Sequence, residues 1–288
     1  MSQGPILLLR DRIRAFFRHL PFALAGEPEG IHQMRVAGRR VRVVVPLVAR
    51  KPEGRRVRRA RRTLKALIRA AAPARDLDVC LALFDEQVAG PSPEAKALRV
   101  RLRTARSRSR RRMREAILDQ EIPTLRRDLR TLLGTAEPVP TVLARIRETR
   151  DLAGDELLAR LEQLGEHFDP DELHDLRRRV RRLRYVAEAA DELTGAASKA
   201  PKRLKRLQEQ LGGIHDASVL AAWLARQASA ADTRQASDHA AEARRLEAAL
   251  LELSRGRHRA YLEAGPVGAA KQALVLLAPG PAPWPDAP

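Results

Sequence analysis

One cluster of cationic residues occurs twice in the sequence, with the same internal spacing. His32 is followed by arginines three, seven, eight and ten positions later, and the same pattern follows His174. The two sets are His32, Arg35, Arg39, Arg40 and Arg42, and His174, Arg177, Arg181, Arg182 and Arg184. Guanidinium groups bind phosphate oxygens through forked, charge-assisted hydrogen bonds. The chemistry that these residues indicate is the binding of an anion with several phosphate groups.

Helical geometry places most of each set on one stripe. At about 100° per residue, the histidine and the arginines three, seven and ten positions later fall within about 80° of one another. Apolar residues such as Met34 and Val41, or Leu176 and Val180, lie elsewhere on the helix. Each copy is therefore predicted to be an amphipathic helix with a packed face and a ladder of cations. Few acidic residues accompany the stripe, so its like charges repel unless an anion relieves them.

Further basic residues are predicted to extend this surface. They are Arg58, Arg62 and Lys65 after the first set, Arg178 within the second, and Lys202 and Lys205 after it. Nine more arginines lie between Arg99 and Arg114. For this last run, a solvated basic surface is as good an interpretation as a binding surface.

The acidic residues and histidines near these stripes indicate binding rather than catalysis. His32 and His174 can each donate to a phosphate oxygen or cap a helix, and neither has a second histidine or a carboxylate at i+3 or i+4 for metal ligation. Asp76, Asp78 and Asp216 are predicted to pair with stripe arginines and orient them. We predict no catalytic residue, no metal site and no cofactor.

The chain that must position these residues has the pattern of a helical protein. Segments rich in Ala, Leu, Arg and Glu are separated by breaks at Pro or Gly, and alternating β-branched runs are nearly absent. This pattern predicts an all-α fold. Helices are expected at about 5–20, 29–50, 54–72, 75–89, 93–119, 121–133, 140–165, 170–194, 199–212, 215–229 and 236–262.

The repeat continues beyond the two cationic sets. Lys65 recurs as Lys205 and Asp76 as Asp216, each 140 residues later. We therefore predict two pseudo-symmetric bundles of the four-helix type, each burying its own core. The predicted divisions are a first bundle over 1–137, a second over 138–262, and a Pro-rich, flexible tail over 263–288.

Composition limits the class of protein. The net charge of +19, from 55 basic and 36 acidic residues, predicts a surface that attracts anions. The single cysteine, Cys80, excludes an internal disulfide framework. The apolar stretch at 6–9 is too short for a signal peptide core, and no run approaches the ~20 apolar residues of a membrane span. We expect a soluble cytoplasmic protein without a membrane partner.

Four motifs in order resemble the CHAD family, which is named for a conserved histidine α-helical domain. They span His32–Arg42, Ala74–Val79, Leu173–Tyr185 and Leu211–Asp216. The resemblance implies two four-helix bundles around a cationic centre, and binding of inorganic polyphosphate, often at polyphosphate granules. It carries a binding role onto the ten residues of the two repeated sets. Gly38 departs from the family pattern, which more often has Thr, and a mid-helix glycine costs about 1 kcal/mol relative to alanine.

Parts of the sequence also fit three functions other than polyphosphate binding. The charge also suits nucleic acid, but nine aromatic residues in 288 give no stacking platform for bases, so only weak duplex-backbone binding stays open. A metal-dependent phosphohydrolase is suggested by the pairs His174-Asp175 and His215-Asp216, but these lie in different motifs. A membrane-surface protein would need Trp and Phe anchors that the basic helices lack.

Overall fold

The computed structural model describes residues 4–87 and 92–277, through which eleven α-helices run. The helices are α1 (Gly4–Ala25), α2 (Pro28–Val48), α3 (Arg55–Ala70), α4 (Ala72–Gln87), α5 (Pro93–Leu118), α6 (Ile122–Leu133), α7 (Val139–Gln163), α8 (Pro170–Thr194), α9 (Ala200–Asp232), α10 (Ser237–Glu263) and α11 (Pro266–Leu276). The described ranges contain no β-strand, only an isolated antiparallel bridge between Ala49 and Ala136. The predicted all-α fold is confirmed.

The apolar residues form two clusters, and each cluster draws on both parts of the sequence. The larger combines α1, α2, α3 and α6 with α7, α8, α9 and α11. The smaller combines α4 and α5 with the later part of α9 and with α10. The expectation that residues 1–137 and 138–262 each bury a separate core is therefore wrong. Apolar faces from the two segments cover one another, while the pseudo-symmetry itself stays a prediction.

Helix α9 corrects the predicted break at residues 213 and 214. Gly212 and Gly213 lie inside a continuous helix of 33 residues, between the buried side chains of Leu211 and Ile214. Two glycines weaken a helix by about 1 kcal/mol each, but packing of the adjoining turns overrides that preference. The second glycine also contributes its carbonyl oxygen, which accepts a hydrogen bond from Arg257 Nη1 at 2.7 Å.

Helix α11 corrects the predicted tail. Pro266 starts the helix, where a missing amide hydrogen costs nothing, and Ala270, Ala273 and Leu274 are buried against the larger core. The flexible-tail prediction is wrong over this helix, and its remainder, 278–288, lies outside the described residues.

Gly38 lies where α2 meets two neighbouring helices. A Cβ atom there would lie 3.1 Å from Ile68 Cγ1 and 3.3 Å from Phe16 Cδ2, closer than ordinary packing allows. The glycine therefore lets α1, α2 and α3 approach one another, and α2 continues through it without interruption. No helix among the described residues is long and apolar enough to cross a membrane.

Candidate anion-binding site

The two repeated sets lie on α2 and α8, and these helices pack against each other. Arg40 on α2 donates to both oxygens of Glu188 on α8, at 2.8 and 3.1 Å. The side chain of Tyr185 on α8 lies close enough to Arg39 to oppose the lowering of its pKa. These contacts bring the stripes of α2 and α8 together.

Four arginines, Arg35, Arg39, Arg177 and Arg181, form the central cluster of this site. Burial, and next the charges of neighbouring guanidinium groups, lower the pKa of Arg35 to about 10 and that of Arg181 to about 9. Burial and the charge of Arg177 also lower the pKa of Arg39. Only 8% of Arg35 is exposed, and its Nη1 donates to the carbonyl oxygen of Ile68 at 3.2 Å. The cluster is thus a partly desolvated concentration of positive charge.

Two carboxylates oppose the central cluster. Burial raises the pKa of Asp76, although Arg35, Arg177 and Arg39 act in the other direction. Burial likewise raises the pKa of Asp216, whose Oδ1 lies 3.9 Å from Arg177 Nη1. The pairing of Asp216 with a stripe arginine is confirmed. Two partly desolvated carboxylates do not neutralise four guanidinium groups, so the centre keeps a net positive charge.

Asp78 has a different role from the other two aspartates. Its Oδ1 accepts hydrogen bonds from Arg106 Nε at 2.7 Å and from Arg110 Nη2 at 2.6 Å, both on α5. Arg99 in turn forms a two-point ion pair with Asp85 on α4. Part of the arginine run on α5 therefore holds α5 against α4.

A pair of histidines lies beside the central cluster. His174 Nδ1 and His215 Nδ1 are 3.3 Å apart, and their rings are tilted by 45°. Burial, and next the charge of Arg177, lower the pKa of His215 to about 3, and the same two causes lower that of His174. His32 has a lowered pKa from burial and from Arg75. All three imidazoles are neutral near pH 7.

His215 is a site residue that the predicted set omitted. The sequence contains two indications of this role. His215 lies in the Leu211–Asp216 motif, and it lies 140 residues after Arg75, whose charge lowers the pKa of His32. The fold brings it to His174 although the two dipeptides lie on different helices. Asp175, by contrast, accepts from Arg179 Nε at 2.7 Å. Across 4–87 and 92–277, no three His, Cys, Asp or Glu side chains are grouped to hold a metal ion.

Arg42 and Arg184 end the two stripes in different surroundings. Burial, and then the charges of Arg61, Arg178 and Arg39, lower the pKa of Arg42. Arg184 is buried, its Nε lies 3.4 Å from Glu188 Oε1, and its guanidinium carbon lies 4.9 Å from the centre of the Tyr185 ring.

The remaining predicted site residues lie on exposed surfaces around this centre: Arg58, Arg62, Lys65, Arg178, Arg182, Lys202 and Lys205. Arg58 donates to the carbonyl oxygen of Glu53, and Lys205 Nζ lies 3.4 Å from Glu209. Arg178 Nη1 lies 3.7 Å from Asp175. These residues are peripheral to the central cluster.

Fold and site together define an all-α protein with a cationic centre built by two helices. The CHAD domain model matches residues 7–225, and the chain belongs to the CHAD domain family. The fold is similar to the crystal structure of the CHAD domain from the plant Ricinus communis, with a TM-score of 0.62 and 23% identity over 97% of this chain and 93% of that one. It is also similar to PptA from Streptomyces chartreusis, with a TM-score of 0.69 and 20% identity over 95% of this chain and 98% of that one. No curated protein sequence matches the chain.

Proposed function

We propose that the protein binds inorganic polyphosphate along a basic groove between the stripes of α2 and α8, and that it does so without catalysing a reaction. The observation that carries this proposal is the convergence of Arg35, Arg39, Arg177 and Arg181 from both helices. Their charges repel one another in a partly desolvated place, and a bound chain of phosphates relieves that repulsion. Membership of the CHAD family, which is known for polyphosphate binding, supports the same ligand.

The shape of the ligand follows from the burial of the cluster. Because Arg35 is 8% exposed and its three companions are half-buried, a ligand must be thin enough to enter between the helices. A single chain of phosphates meets this condition, and it presents oxygens to cations spaced about one helical turn apart. A nucleic acid duplex presents its phosphates on a wide cylinder, which suits the exposed arginines better than the central ones. We therefore rank weak, nonspecific duplex binding second.

The neutral histidine pair supports a binding role. One ring must donate its Nδ1 hydrogen and the other must accept it, which fixes both tautomers. The Nε2 of the first ring then accepts and that of the second ring donates, so the second can bond to a phosphate oxygen. Asp175, the neighbour of His174, accepts a hydrogen bond from Arg179, which supports a structural role for this carboxylate over metal ligation.

The decisive experiment is a competition assay. Labelled long-chain polyphosphate should be displaced by unlabelled polyphosphate at far lower phosphate concentration than by duplex DNA or RNA. Wild type should be compared with Arg39→Gln/Arg181→Gln and with the control Arg127→Gln/Arg130→Gln. The control removes two exposed charges on α6, which packs on α3 through Asp128 and Arg59.

The central variant should lose at least about tenfold in affinity, given about 1.5–3 kcal/mol for each hydrogen bond to a charged group. The control should lose little. Equal losses of polyphosphate affinity in the central and control variants would mean that the protein binds anions through its overall charge. Displacement of polyphosphate by DNA at matched phosphate concentration would favour nucleic acid as the ligand. Release of orthophosphate from polyphosphate by wild type, absent in the central variant, would contradict the non-catalytic role. We further propose that binding places the protein at polyphosphate granules in the cytoplasm.

A further inference from the structure

The excess positive charge is distributed unevenly along the chain. Residues 1–137 contain 32 Lys and Arg against 14 Asp and Glu, a net charge of +18. Residues 138–288 contain 23 against 22, a net charge of +1. The two repeated stripes cannot cause this difference, because each contributes the same arginines. The difference must come from the surfaces around them.

The first stripe ends among cations. The charged groups that most influence the pKa of Arg42 are Arg61 on α3 and Arg178 on α8. The Nε atoms of Arg42 and Arg61 are both buried and without a hydrogen-bond partner among the described residues. Arg184 Nε also lacks a hydrogen bond, but it lies 3.4 Å from Glu188 Oε1, whereas no ion pair to a carboxylate is seen for Arg42 or Arg61 among the described residues. Two arginines with buried Nε atoms thus connect the end of the α2 stripe to α3.

The second stripe ends at a carboxylate. Arg184 occupies the position in α8 that Arg42 occupies in α2, but its guanidinium lies against Glu188 and over the ring of Tyr185. Glu188 also binds Arg40 through both oxygens. The residue at the position of Glu188 in the first copy is Pro46, which carries no charge. A negative group therefore stands at this end of the groove and is absent from the other.

The helices beyond the two ends continue the contrast. The outer α3 face comprises Arg58, Arg62, Lys65 and Arg69, which lie within about 60° of one another around the helix. All four are exposed, and α3 contains no acidic residue.

The residues 140 positions later lie at the start of α9 or just before it. They are Ser198, Lys202, Lys205 and Glu209. Two of the four cations are thus lost from this face, while two further exposed arginines of α9, Arg203 and Arg206, lie outside it. A third, Lys205, has an acidic partner in Glu209 at 3.4 Å.

From these contacts we infer that the groove has a direction: a polyphosphate chain longer than the groove leaves it past Arg42 and Arg61 and continues over the outer α3 face, and not past Arg184 over α9. This inference rests on the proposed function. The tethered part of a long chain meets the outer α3 face at high effective concentration, so even weak contacts there add to affinity. Short chains, held by the central cluster, do not reach it.

The repeat provides a matched test. Arg62→Ala/Lys65→Ala and Lys202→Ala/Lys205→Ala each remove two exposed cations at equivalent positions. Affinity should be measured for tripolyphosphate and for chains of roughly 100 phosphates, at several salt concentrations. The α3 variant should bind the long chain about three- to tenfold more weakly and the short chain normally, since exposed charge contacts contribute modestly. Its log–log salt slope for the long chain should also fall by about one to two units.

Lys202 and Lys205 belong to the binding surface predicted from the sequence, but the directional path leaves them out. The α9 variant should therefore lose clearly less affinity for the long chain than the α3 variant, and none for the short chain. Equal losses for the long chain in the two variants would overturn the directional path, and so would a loss confined to the α9 variant. If wild type fails to bind polyphosphate of either length, the proposed function itself is wrong. Circular dichroism of both variants confirms that the exposed substitutions leave the helices folded.

Discussion

His174 and His215 meet through their Nδ1 atoms, 3.3 Å apart, although they come from α8 and α9. Their ring centres are 4.5 Å apart, and the charges of Arg177 and Arg181 act on both rings. In the free protein, burial and these cations keep the pair neutral. A polyanion at the same place would act in the opposite direction and favour protonation, which links binding to pH.

We predict that affinity for long polyphosphate rises as pH falls from about 7 to 5. In the free protein, the pKa values of His32 and His174 lie below 6.5. A bound anion should raise both pKa values. At a pH between the free-state and bound-state values, binding therefore takes up protons. The gain is limited to about tenfold per pH unit for each proton taken up. Titrations at constant ionic strength check this, with His32→Asn/His174→Asn as the variant whose profile should be flatter. Affinity that falls over this range in wild type would contradict the linkage.

In the free protein, His215 should make folding sensitive to acid. Its pKa is about 3 in the folded state and 6.5 in the unfolded state, so the unfolded chain binds the additional proton. The contribution of neutral His215 to stability is fully present above pH 6.5 and is lost progressively as pH falls toward 3. Urea unfolding of wild type and His215→Asn at pH 7, 6, 5 and 4 isolates this residue. Wild type should lose more stability than the variant over the series, and parallel curves would show that His215 contributes nothing.

The central cluster should cost the free protein stability. Arg39 and Arg181 have lowered pKa values from burial and from other guanidinium groups, which means that their charged forms are disfavoured where they lie. Arg39→Gln/Arg181→Gln should therefore raise the free energy of unfolding by about 1–2 kcal/mol at low salt. The same variant should lose the rise in Tm that polyphosphate gives wild type. A Tm below that of wild type at low salt would instead assign both arginines a structural role.

Glu188 should hold the fold together and oppose binding at once. Its side chain is 18% exposed and contacts Arg40 and Arg184, so Glu188→Gln should destabilise the free protein by about 1–3 kcal/mol. The lost negative charge should also tighten long-chain binding. Glu192→Gln, one turn further along α8, is the control: its carboxylate is 40% exposed, pairs with Arg12, and forms no ion pair with Arg40 or Arg184 among the described residues. Both variants should be compared by calorimetric unfolding and by long-chain affinity. Equal changes in the two variants would contradict a particular role for Glu188.

Gly30 should not tolerate a side chain. A Cβ there would lie 2.5 Å from Phe22 Cβ and 2.7 Å from the backbone carbon of Phe22, so α1 and α2 would have to separate. Gly30→Ala should cost about 1–3 kcal/mol, measured by urea unfolding, despite the better helix propensity of alanine. Gly256→Ala, where nothing lies within 4 Å of the added Cβ, should be neutral or stabilising. A stable Gly30→Ala protein would show that these helices can move apart at little cost.

Periodicity and repetition predicted most of the fold because they are local properties. The spacing of apolar residues predicted the helices α2 and α8, and the recurrence of the His/Arg set predicted that both stripes serve one site; the structure packs these two helices together. Where prediction failed, tertiary packing decided the structure. The glycines at 212 and 213 do not end α9 because Leu211 and Ile214 are buried on either side.

Helix α11 could have been predicted from the internal repeat. Shifting α6, Ile122–Leu133, by the repeat offset of 142 predicts a helix over 264–275, close to the observed Pro266–Leu276. The prolines after residue 278 concealed it by giving the whole segment the composition of a tail. The pairing of Arg40 and Arg184 with Glu188 had no such signal, because Glu188 lies outside both repeated sets and depends on how α2 meets α8.

The sharing of both apolar cores between the two segments has a consequence for biosynthesis. Residues 1–137 leave the ribosome first, with a net charge of +18 and with apolar faces whose covering helices, α7 to α11, have not yet been made. Because the smaller core needs α9 and α10, nearly the whole chain must emerge before folding can finish. Until α9 and α10 are made, residues 1–137 are a polycation with uncovered apolar surface, and exposed apolar surface makes an incomplete chain prone to aggregate.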